Sequence, residues 1–161
     1  MFRNLCFVMA TVALPLRLSL QAQDWRARLG KDLVEIRDST MVYNEIGLLK
    51  FSLPGYQTAQ YQVKLHSESP VEGPMSRDNF VALTATTALT FLQTAFAQAY
   101  QVTAAQFLEA MDLTELEAPI GTPDLELNLV MTKQGMQFEF VNTTTGQRQR
   151  QTSTWEQVYE E

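Results

Sequence analysis

The chain has 161 residues, 45% hydrophobic and 19% charged, with a formal net charge of −6, one cysteine and one histidine. That length suits one globular domain with a core of its own. The acidic balance argues against non-specific binding to nucleic acid or anionic lipid, which draws on clustered Lys and Arg, and so few Cys and His exclude a disulfide scaffold, Cys-ligated zinc and iron–sulfur clusters.

The first 22 residues have the form of an export signal. Met1 to Asn4 is a short basic start, Leu5 to Leu14 is an uncharged, mostly apolar run, and Leu20-Gln21-Ala22 ends on a small residue. A transmembrane anchor needs about 20 apolar residues, and here Pro15 and Arg17 interrupt the run. The reading is therefore a signal peptide over 1–22 and a single domain over 23–161, periplasmic or secreted, with no membrane span after cleavage. Cys6 leaves with the signal, so the remaining chain has no thiol and rests on its core alone.

Asp24 to Asp38 reads as an amphipathic helix, with Trp25, Leu29, Leu33 and Ile36 at helical spacing. Met41 to Leu53 fits helix or strand. Gln57 to His66 alternates Ala59, Tyr61, Val63 and Leu65 with polar residues, which is the period of a strand with one wet face. Ser67 to Met75 reads as a loop. Ser76 to Tyr100 is the longest expected helix, and residues 79–108 carry no charge, so the helix is expected at the centre of the domain.

Thr103 to Leu116 is expected as a second helix opened by a Thr103/Gln106 capping box. On it Glu109, Asp112 and Glu115, with Glu117 just beyond, read as a solvated acidic face. Ala118 to Pro123 is a linker. Leu125–Thr132 and Met136–Val141 form the strongest hairpin signal, with Leu125, Leu127, Leu129, Met131, Met136, Phe138 and Phe140 facing in. Gln147 to Ser153 is a candidate third strand. A Ser153/Glu156 capping box then opens a short helix holding Trp155, Val158 and Tyr159. The fold class is α+β: a C-terminal three-stranded meander plus one or two N-terminal strands, antiparallel, packed against a long apolar helix and shorter helices.

Chemistry is sparse. No nucleophile elbow, zinc-binding helix, phosphate loop or dinucleotide motif is present, so no catalytic residue, cofactor or metal is assigned. His66 is read as sitting at a loop edge with no acid beside it, because adjacent strand residues point to opposite faces. Asn142-Thr143-Thr144 matches a glycosylation sequon and reads as a hairpin turn. The candidate partner-binding residues are Gln147, Arg148, Gln149, Arg150 and Gln151, polar throughout and suited to a sheet edge. The resulting function is a small exported, non-catalytic binding or assembly protein with a protein partner in the cell envelope or extracellular space. Two alternatives remain: a carrier of an apolar ligand in a cavity lined by Phe91, Phe96, Phe138 and Phe140, or a small enzyme dependent on Asp or Glu.

Overall fold

The computed structural model describes residues 34–73 and 75–158; the expected signal peptide, residues 24–33 of the expected first helix, and Tyr159 lie outside them. Val34–Arg37 (β1) and Thr40–Phe51 (β2) form an antiparallel hairpin around Asp38-Ser39, with φ values of 49° and 63°. Positive φ at both central residues marks a type I′ turn, whose twist matches that of the flanking strands. Val34 to Asp38 is thus strand and turn, not the end of a helix. Its apolar residues alternate as well as they repeat at helical spacing, and pairing with β2 decides between the two.

β2 continues into Ala59–Pro70 (β3), antiparallel along its whole length. β3 outruns its expected end at His66 because Ser67 and Ser69, fully buried on the helix-facing side, hide the apolar alternation. Ser67 Oγ accepts from Thr84 Oγ1 at 2.9 Å and donates to Met131 Sδ at 3.5 Å, so the buried hydroxyls are satisfied.

Arg77–Tyr100 (α1) is the central helix, with Ser76 accepting from the Asn79 amide as N-cap. By length and hydropathy it would suit a membrane span, yet most of its apolar stretch is buried inside the protein. It closes on Gln101 in the left-handed conformation, with Val102 N donating to Ala97 O at 3.0 Å. The Thr103/Gln106 capping box opens Ala104–Ala110 (α2), both bonds being present. The chain then turns extended: Met111–Leu116 (β4) pairs with Ile46–Phe51. The expected helix to Leu116 stops six residues short. Met111 satisfies both periodicities, and the ladder with β2 overrides a weak helical pattern.

Leu125–Met131 (β5), Gly135–Asn142 (β6) and Gln147–Thr154 (β7) form the expected antiparallel meander. β5 joins β3 in parallel, so the seven-stranded sheet is mixed but mostly antiparallel, in the order β1-β2-β3-β5-β6-β7 with β4 beside β2. Trp155–Val158 (α3) follows. Its capping box is Thr154 with Gln157, one residue later than expected, each side chain bonding the other's amide at 2.9 and 3.2 Å.

The core lies between α1 and one face of the sheet. Phe96 contacts Phe51, Tyr61 and Phe107 with ring centroids 5.1, 5.0 and 5.4 Å apart, and Phe91 packs on Phe138 and Phe140 at 4.9 and 4.8 Å. The opposite face is open over much of its area. Near one end it is crossed by 117–124, held down by Gln62, whose side chain bonds both the amide and the carbonyl of Ile120 at 2.7 and 2.9 Å.

Candidate functional site

β7 ends the sheet and pairs only with β6 among the described residues. Its register sorts the five candidate binding residues by face. Gln147, Gln149 and Gln151 lie opposite Asn142, Phe140 and Phe138, on the helix side and half-buried. Arg148 and Arg150 lie opposite Val141 and Glu139, on the open side, with side chains 64% and 81% exposed. Glu139 holds Arg150 at 2.8 Å and approaches Arg148 at 3.7 Å. One carboxylate therefore serves two guanidinium groups, and exposed pairs of this kind contribute only about 0–1 kcal/mol. The segment expected to be wet on both sides is amphipathic in a polar sense, amide on one face and cationic on the other.

The open face carries a cross-strand row of polar residues: Asn44, His66, Asn128, Glu139 and Arg150, each beside the next in register. His66 is not at a loop edge. Because β3 extends to Pro70, Glu68 shares its face, and its carboxylate lies 3.0 Å from His66 Nε2, while Asn44 Oδ1 lies 2.6 Å from Nδ1. The i,i+2 relation that places Glu68 there is visible in the sequence once the strand is extended by two residues.

The residue that sequence reading passed over is Glu45. On β2 the helix-facing positions are Met41, Tyr43, Glu45, Gly47, Leu49 and Phe51, so a carboxylate stands in an otherwise apolar series. Read as a strand, this period-2 pattern would have drawn attention to Glu45; the helix–strand ambiguity of the segment concealed it. Tyr43 donates its hydroxyl to Glu45 in a short hydrogen bond. β1 pairs with Thr40–Tyr43 and β4 with Ile46–Phe51, so Asn44 and Glu45 face a gap in the sheet edge among the described residues. Below the gap is a cavity of about 30 Å³ lined by Glu45, Gly47, Leu65, Leu92, Leu113 and Leu127, among others. Apart from Glu45 its lining is apolar, so it offers a water few polar partners.

Burial pushes the Glu45 carboxyl above the ordinary glutamate value, and the charge of Glu115 adds to the effect; the Tyr43 bond acts the other way. Tyr43 is likewise held in its neutral form, by burial first and then by Glu45 and Glu115. From Asn79 onward α1 carries no charged side chain that could compensate.

Two other expectations are corrected, and the sequon forms the hairpin turn expected of it. Glu109 lies on α2 but Asp112 and Glu115 lie on β4, so the acidic residues do not share a helix face; Asp112 and Glu115 even point to opposite sides of the sheet, paired with Lys50 and Gly47. The four phenylalanines proposed to line a carrier cavity are packed in ring contact with other aromatic side chains, and the cavity beside Glu45 is lined by other residues. Asn142 of the sequon is buried, with Oδ1 accepting from the amides of Thr144 and Thr145 at 3.1 and 3.3 Å, as in an Asx turn.

Comparison with protein families, with curated proteins and with solved structures finds no match for this chain.

Proposed function

We propose that this chain is a small exported, non-catalytic binding or assembly protein that meets its partner along β7. The observation that carries this reading is the terminal strand itself: eight residues, polar throughout, ending a sheet whose opposite side is filled by an apolar helix. An end strand presents unpaired backbone donors and acceptors, and an incoming extended segment can complete the ladder. The export half of the reading rests on the sequence of residues 1–22.

The test is a photo-reactive residue placed at Thr152, on the open face of β7, in protein produced in its own cells. A discrete cross-linked product at this position, absent when the same group is placed at exposed Lys133, is the expected result. Cross-links from Lys133 and none from Thr152 would move the partner elsewhere. Intact mass of the same preparation should show a chain beginning near Gln23, and a retained Met1 would defeat the export assignment.

A second reading is favoured by Glu45. A carboxyl with raised proton affinity at the lip of a cavity is a frequent arrangement for acid–base chemistry. It predicts small-molecule turnover that Glu45→Gln abolishes without lowering thermal stability.

A further inference from the structure

Resting on the binding role just proposed for β7, we infer that the partner is an extended segment with acidic side chains at alternate positions, laid beside β7 so that they face Arg148 and Arg150. Three observations lead there. Both arginines project from the open face, most of their side-chain surface is exposed, and Glu139 is the single carboxylate beside them in register or ion-pair contact among the described residues. This pair is a local excess of positive charge on a chain whose net charge is −6. Alternation on a strand then sets the spacing: residues i and i+2 of the incoming segment fall on the same face as Arg148 and Arg150. An acidic segment gains attraction at both positions, and a basic one is repelled at both.

The same charges disfavour a second copy of this chain. Antiparallel pairing of β7 with itself about Gln149 sets Arg148 against Arg150 twice, and pairing about Arg150 sets that residue against itself. Like charges directly opposite are destabilising in a sheet. The β4 edge of another copy is a poorer match than a dedicated acidic strand, because its open-face positions are Asp112, Thr114 and Leu116, with one carboxylate for two arginines. The arginines thus disfavour those self-pairing registers and favour an acidic strand.

The test uses the ¹⁵N-labelled protein and two synthetic seven-residue peptides, one alternating Thr with Glu and the other alternating Thr with Lys. The Thr–Glu peptide should shift the backbone amides of Gln147–Thr154, and it should bind about tenfold more tightly than the Thr–Lys peptide, as two modest charge pairs would give. Raising the salt should shrink the difference. The double variant Arg148→Glu/Arg150→Glu should reverse the preference. Should it fail to fold, Arg150→Gln should reduce the preference alone.

Equal binding of both peptides along β7 would overturn this inference while leaving the β7 docking role standing. Shifts confined to another surface, or none with either peptide, would overturn it as well, and the docking role would then depend on the Thr152 cross-link alone. Concentration-dependent broadening at β7 without peptide would make the occupant a second copy and likewise overturn it.

Discussion

The helix-facing side of the sheet carries Tyr43, Leu49, Phe51, Leu65, Leu127, Leu129 and Phe140, almost all sealed from solvent, whereas the other side of the same strands carries Asn44, His66, Asn128, Glu139 and Arg150 in one open row. The two faces are built from alternate residues of the same segments, yet they answer to different physics. On the closed face a lost methylene leaves a void that dense packing cannot refill. On the open face water replaces whatever is removed. The stability of this protein is therefore concentrated on one side of the sheet, which leaves the other side free to vary for recognition. Glu45 is the exception that sharpens the contrast, a carboxylate on the closed side that accepts a hydrogen bond from the Tyr43 hydroxyl.

Breaking the closed face should have the largest effect. Phe96→Ala removes a ring packed on Phe51, Tyr61 and Phe107, among others, and it should cost about 3–5 kcal/mol in chemical denaturation. A loss under 1 kcal/mol would mean that the core is not where these contacts put it. Gly135→Ala comes next: a Cβ there would overlap the Ser153 carbonyl, so β6 and β7 would have to separate locally. We expect a loss of about 1–3 kcal/mol, with faster hydrogen exchange in β7 as the local readout.

The open face should respond far less. Asn44→Ala or Arg150→Ala should change stability by no more than about 0.5–1 kcal/mol, since exposed polar pairs contribute little. A larger loss at either position would show that the row is structural. At the end of α1, Gln101→Gly should add about 0.5–1 kcal/mol, because φ is 57° there and glycine adopts it without a Cβ penalty. Thermal melts resolve that gain.

Glu45 gives the comparison a pH dependence. Its carboxyl binds a proton more tightly in the folded state than in the unfolded chain, so its contribution favours folding below about pH 4.5, the ordinary value, and is lost as pH rises through the raised one. Glu45→Gln removes this titration while leaving Tyr43 a hydrogen-bond acceptor. Plotted against pH, the stability of the variant relative to wild type should rise across that window. A flat difference would mean that Glu45 is as well hydrated as an open-face carboxylate.

Local pattern was enough for the meander and the central helix. Leu125, Leu127, Leu129 and Met131 alternate against Met136, Phe138 and Phe140 across a short Lys-Gln-Gly turn, and the apolar residues of the uncharged span from Asn79 to Leu108 favoured a central helix. Those elements are specified by burial demands written within a dozen residues of one another. Where local signals were balanced, tertiary pairing decided. Met111 to Leu116 fits either periodicity and became a strand because Ile46–Phe51 offered it a ladder. Ser67 looks like a loop residue until Thr84 and Met131 are placed beside it.

The candidate binding segment was legible as polar from its sequence, but not as two-faced. Which of Gln147–Gln151 face the helix depends on the register with β6. The Tyr43–Glu45 pair depended on the fold in the same way. Its hydrogen bond joins residues two apart, which only an extended backbone brings together on one face, and its charge is unfavourable because the fold buries it and brings the Glu115 charge near. Composition and periodicity determine which residues must leave water. Which strand lies beside which, and therefore which polar groups are stranded or exposed together, is decided by long-range pairing that no local window contains.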